Sequence, residues 1–77
     1  MTVTEGLVRI DGRKLRRLRQ ESLLSVRELA KRANISKTTL SELEREEHGA
    51  QMRTVRALAD ALGVDGRELL VFEEDEA

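Results

Sequence analysis

The sequence predicts an all-α domain of five short helices. Three observations predict it. The 77 residues contain no proline, and they are rich in Leu, Ala, Arg and Glu, which all favour helix. Apolar residues recur at three- and four-residue spacing in separate stretches. Residues that start and stop helices stand between those stretches.

Taken in order, residues 1–6 read as a loose N-terminus, 7–72 as one domain and 73–77 as an acidic tail. Leu7 to Ile10 is a short β-prone run, and Asp11 can cap a helix beginning near Gly12, in which Leu15 and Leu18 share a face. Ser25 and Glu28 form a capping-box pair, so a second helix starts there and buries Val26, Leu29, Ala30 and Ala33. Asn34 ends it, because asparagine tolerates the left-handed conformation of a tight turn. Ser36 can cap a third helix, roughly Lys37 to Arg45. The stretch Glu46 to Gln51 carries no strong structural signal. A fourth helix spans Met52 to Leu62, with Met52, Val55, Leu58, Ala59 and Leu62 at core spacing, and Gly63 stops it. Asp65 and Glu68 resemble another capping box, for a fifth helix around Arg67 to Val71. The apolar run Leu69 to Phe72 exceeds what that helix needs. Its remainder could make a dimer contact, or residues 70–73 could pair as a strand with 7–10.

Composition excludes several classes. There is no cysteine and one histidine, so disulfides, thiolate metal sites and zinc sites are not expected. Phe72 is the single aromatic residue, which disfavours folds that stack RNA bases on aromatic rings. No apolar run approaches a membrane span and no signal-peptide pattern opens the chain, so a cytoplasmic location is expected. No nucleophile–base set or phosphate-binding loop is present, so an enzyme is not expected, nor is a cofactor.

The net charge is −1, but its distribution matters more. Residues 9–19 hold six basic side chains against Asp11, while 73–76 are all acidic. A basic patch on a mixed body suits a phosphate backbone. The tail is read as disordered and solubilising, or alternatively as a competitor of phosphate for the basic patch.

The run Val26 to Arg45 is the most informative. Leu29, Ala33, Ile35, Leu40 and Leu43 supply contacts between two short helices, and Ala30 is small where they cross. On the third helix, Leu40 and Leu43 face one side while Lys37, Thr38, Ser41, Glu42 and Arg45 face the other. This is the pattern of a helix-turn-helix that presents its second helix to the major groove of DNA.

From about Asp11 to Leu70 the chain resembles the Cro-repressor-type, or lambda-repressor-like (XRE), helix-turn-helix family. The resemblance is carried by Leu15 to Arg19, by Ser25 with Glu28-Leu29-Ala30, and by Ile35-Ser36, Leu40 and Leu43-Glu44-Arg45. It continues through Leu58-Ala-Asp-Ala-Leu-Gly-Val64. It implies a lambda-repressor-like domain with base contacts from Lys37, Thr38, Ser41 and Glu42. The chemistry agrees: Lys37 can donate to guanine, Thr38 offers a methyl to thymine, and Glu42 can accept from cytosine N4. Ser25, Thr39 and Arg45, with the amides opening the second helix, would hold phosphates, and Arg53 and Arg56 are further candidates. An Arg19–Glu44 pair would tie the first helix to the third.

The chain departs from the family pattern where Val26 replaces a common Gln, Asn34 a turn Gly, and Glu46 the Gly that often follows Glu-Arg. Glu46 and Glu47 put two carboxylates in a loop that lies near phosphate in relatives. His48 reads as a solvated loop residue.

The function expected is a sequence-specific regulator of transcription that binds double-stranded DNA, a repressor acting as a homodimer. One helix-turn-helix reads only a few base pairs, so two copies ~34 Å apart are needed for specificity. The alternative is a protein-interaction module on the same fold, such as the antitoxin of a toxin–antitoxin pair or a transcription coactivator adaptor. Glu46-Glu47 and the apolar end at Leu69 to Phe72 favour that alternative.

Overall fold

Every helix of the chain contributes at least one fully buried leucine to a single core. Leu15, Leu29, Leu40, Leu43, Leu58 and Leu69 are at most 1% exposed. In the computed structural model, which describes residues 7–71, the elements run β1 (Leu7–Val8), α1 (Gly12–Glu21), α2 (Val26–Ala33), α3 (Lys37–Glu44), β2 (Ala50–Gln51) and α4 (Met52–Leu62). A 3-10 turn at Gly66–Leu69 follows. The N-terminal segment 1–6, Phe72 and the tail 73–77 lie outside the described residues. α2 packs on both α3 and α4, and α1 packs on α3 and on the 3-10 turn.

The helix starts follow local chemistry. The Asp11 carboxylate accepts from the Lys14 amide. Ser25 and Glu28 form the complete capping box, and Ser36 Oγ accepts from the Thr39 amide. Gln51, before α4, makes no side-chain cap.

All four helices end in one way. A residue in the left-handed region follows the last turn, and the next amide reaches back to a carbonyl five residues earlier. Those bonds run from Leu24 to Arg19, Ile35 to Ala30, Glu47 to Glu42 and Val64 to Ala59. The left-handed residues are Leu23, Asn34, Glu46 and Gly63, with φ of 61°, 60°, 60° and 72°. Gly63 adopts this without cost and Asn34 at a small one, whereas Leu23 and Glu46 are strained there.

Five expectations need correction. The fifth helix is a 3-10 turn, so the described residues hold four α-helices. Asp65 caps the amide of Arg67, two residues on. Leu70 is extended and bridges Ile10, with Asp11 N–H donating to Leu69 O and Val71 N–H to Arg9 O. Backbone pairing with 9–11 thus pulls residues 70–71 out of helix. Of the expected pairing of 7–10 with 70–73, of which 72 and 73 lie outside the described residues, the described part shows this bridge, and Leu7 and Val8 pair antiparallel with Gln51 and Ala50. The stretch 46–51 therefore contains a strand, and Ala50 is buried at 5% exposure. Met52, at the first position of α4, is exposed although it shares the spacing of the core residues, and Val26 is only half-buried.

The α1–α3 junction sets the position of α3. Gly12 starts α1 directly against the C-terminus of α3, where a Cβ would collide with the carbonyls of Leu43 and Glu44. The positive end of one helix thus meets the negative end of the other. Farther along α1, Arg19 reaches Glu44 through Nε at 2.7 Å and Nη2 at 3.1 Å, and its Nη1 donates to the Leu24 carbonyl at 3.0 Å. The two side chains are only 10% and 8% exposed. Glu44 holds the guanidinium in its charged form against the cost of burial.

Candidate nucleic-acid interface

α3 has two distinct faces. Leu40 and Leu43 are buried and Glu44 turns towards α1. Lys37, Thr38 and Arg45 are exposed, and Ser41 and Glu42 are half-buried on the opposite side. The structure therefore brings Lys37, Thr38, Ser41, Glu42 and Arg45 onto one surface. The short side chains of Thr38 and Ser41 leave the helix backbone open to close approach, while Lys37 and Arg45 supply reach.

The two hydroxyls expected to hold phosphate differ in what they have left to give. Ser25 Oγ accepts the Glu28 amide at 3.0 Å and gives its own hydrogen to the Glu28 carboxylate. Thr39 Oγ1 accepts from the Ser36 hydroxyl at 2.9 Å, so its hydrogen is left for another acceptor. The amides of Val26 and Arg27, in the first turn of α2, have no intrahelical carbonyl to reach. Glu28 sits beside them, but its carboxylate accepts the Ser25 amide at 2.8 Å. That bond, with the one from the Ser25 side chain, holds it below the ordinary carboxylate range.

The acidic loop is tied up within the protein. The Glu46 carboxylate accepts the Gly12 amide at 2.7 Å, capping α1 from 34 residues away. This bond accompanies the left-handed backbone of Glu46. Glu47 accepts from Arg45 Nε at 2.8 Å, which strengthens the charged form of that arginine. Glu42 takes a hydrogen bond from His48 Nε2 at 2.9 Å, and His48 Nδ1 lies 2.9 Å from the Gly49 carbonyl. The carboxylates that would repel DNA each have a partner.

Arg53 and Arg56 are exposed on α4. Arg53 lines an open groove shared with Asn34, Ile35 and Thr54, next to the turn between α2 and α3. Arg56 is not brought to that groove. Sequence reasoning missed two participants. His48, read as solvated, grips Glu42, and Glu46, read as a loop carboxylate, caps α1. Both contacts depend on how the loop folds back, and no local spacing in the sequence signals them.

Comparison with known proteins places this arrangement. Residues 12–71 match the helix-turn-helix domain family. The immunity repressor protein of Bacillus phage phi105 is 34% identical over 68 residues, covering 82% of this chain. The chain spans only 47% of that relative's length. The crystal structure of the restriction-modification controller protein C.AhdI from Aeromonas hydrophila superposes with a TM-score of 0.74 at 30% identity, over 77% of this chain and 89% of that one. The N-terminal DNA-binding domain of SinR from Bacillus subtilis gives 0.74 at 26% identity, over 83% and 94%. With the family matched over most of its length, the chain belongs to the helix-turn-helix family, in its lambda-repressor-like (XRE) form.

Proposed function

We propose that this protein is a sequence-specific regulator of transcription that binds double-stranded DNA and represses by occupying its site as a homodimer. The observation that carries this reading is the outward face of α3. There Lys37, Thr38, Ser41 and Glu42 stand together, with a free hydroxyl hydrogen at Thr39 beside them. Lys37 and Thr38 would read base edges, Ser41 would serve either base or sugar, and Glu42 would accept from cytosine. Ser25, Thr39, Arg45, Arg53 and Arg56 would hold phosphates and set the register without reading sequence. Arg19 and Glu44 would act only by holding α3 in place. The repressor name of the phage relative and the DNA-binding domain of SinR support the reading.

The exposed arginines of the basic segment 9–19, Arg9, Arg13, Arg16 and Arg17, would add field beyond the helix-turn-helix itself. No described helix is long and apolar enough to cross a membrane, and the described residues contain no group of three potential metal ligands. The rival interaction-module reading drew partly on Glu46 and Glu47. Both carboxylates are occupied inside the chain, which weakens that support.

Salt dependence tests the proposal. If each subunit neutralises ~4 phosphates, a dimer loses affinity with a log–log slope near about −7. Titrations of duplex DNA at several salt concentrations, with sedimentation of the complex, read both slope and stoichiometry. A nearly flat response, or one chain per saturated duplex, refutes it.

A further inference from the structure

His48 has no part in the reading above, yet it bonds directly to the outward face of α3. Its Nε2 lies 2.9 Å from Glu42 Oε1 and its Nδ1 lies 2.9 Å from the Gly49 carbonyl oxygen. A carbonyl and a carboxylate can only accept, so both contacts are hydrogen bonds only when both ring nitrogens carry hydrogen. The geometry is that of an imidazolium. A neutral ring has one N–H and must turn its bare nitrogen towards one of the two acceptors.

The surroundings favour the charged form. Glu42 faces the ring from α3, and Glu47 lies beside it in the loop, itself bonded to Arg45. Gly49 rests against Leu7 and Val8 of β1, which bring no charge. The Gly49 carbonyl first, and Glu42 next, raise the pKa of His48 above the ordinary histidine value.

We propose that His48 positions Glu42 for base reading, so that the protonation of His48 sets how strongly the protein discriminates at the base pair beneath Glu42. This rests on the DNA-binding reading above. With Oε1 held by the ring, Oε2 is left to accept from cytosine N4. The imidazolium also offsets the repulsion between this carboxylate and the DNA phosphates. When the proton leaves, Glu42 is released as an unbalanced, mobile charge.

The test uses the full chain and two duplexes: a preferred duplex, and the same duplex altered at the base pair whose discrimination Glu42→Gln abolishes. Affinities for both are measured from pH 6 to pH 9 at fixed salt, and the His48 ring is titrated by NMR in the free protein. The affinity ratio is expected to fall about fivefold or more across this range. Its midpoint should lie at or above that of the ring, since bound phosphates also favour the cation. His48→Gln should make the ratio independent of pH. A constant ratio in the native protein, or the same fall in His48→Gln, overturns the proposal. If no duplex binds, the DNA-binding reading itself fails. The ring titration still tests the pair separately: an unchanged midpoint in Glu42→Gln shows that the two side chains are not coupled.

Discussion

Replacing Glu44 by alanine tests how α3 is held. Glu44 gives Arg19 two charge-assisted hydrogen bonds, at 2.7 and 3.1 Å, from a position where both side chains are about nine-tenths buried. Without it, the guanidinium keeps only the Leu24 carbonyl at 3.0 Å. Removing one partner of a fully buried pair costs ~3–5 kcal/mol, mostly because the other charge is stranded. Here a small part of each side chain still meets water, which lowers the expected cost to ~2–4 kcal/mol. For a domain of this size each kcal/mol shifts Tm by about 4–8 °C, so Tm should fall by roughly 10–25 °C. Total stability is only about 5–10 kcal/mol, so the variant is folded but marginal. Urea and thermal unfolding followed by far-ultraviolet circular dichroism suit a chain without Trp or Tyr. The double replacement Arg19→Met with Glu44→Leu should recover most of the loss. It should stay about 1 kcal/mol short, because the Leu24 carbonyl loses its donor. A cost below 1 kcal/mol for Glu44→Ala, or a double variant whose loss equals the sum of the singles, refutes the reasoning.

Five further outcomes are expected. Leu23→Gly should stabilise the domain by ~0.5–1 kcal/mol, because relief of left-handed strain exceeds the added unfolded-state entropy and the 88%-exposed side chain packs on little. By contrast Glu46→Gly, which relieves the same strain but loses the cap on Gly12, should change stability by less than about 1 kcal/mol in urea melts. Gly12→Ala should destabilise by at least ~2 kcal/mol in the same assay, since its methyl meets the Leu43 and Glu44 carbonyls. Lys37→Ala should leave unfolding unchanged, cost ~1–3 kcal/mol in affinity for the preferred duplex, and relax preference at one base pair. Finally, Arg67 donates to Asp65 from both side chain and backbone and lowers its pKa to about 2. A depressed carboxylate stabilises the fold above its ordinary value near 3.8 and loses that contribution as pH falls towards 2. Acid titration of Asp65→Asn should therefore show weaker dependence over this window than the native chain.

The parts of the fold legible in the sequence are those that depend on a few neighbouring residues. Ser25 with Glu28, Ser36, Asn34 and Gly63 announce helix ends through bonds spanning three to five positions. The burial of Leu15, Leu29, Leu40, Leu43 and Leu58 follows from helical spacing. What was not legible depends on distant partners. Two-residue strands such as Leu7–Val8 and Ala50–Gln51 carry no periodicity to detect, and the pairing exists only because the fold brings them together. The apparent fifth helix gave way to the bridge between Ile10 and Leu70, 60 positions apart. In the site, the outward face of α3 follows from the 100° step of a helix. The partners of Glu42, Glu46 and Glu47 depend on a loop whose path no local rule specifies. Leu23 is a further case: the turn requires a left-handed residue, and nothing in the structure explains why leucine fills it.

The central claim is that the outward face of α3 reads base edges in a paired arrangement. Enrichment of bound duplexes from a random library tests it most directly. The account predicts enriched duplexes sharing one short half-site, repeated in inverted orientation with centres one helical turn, about 34 Å, apart. Binding at low salt with no enriched sequence would contradict it.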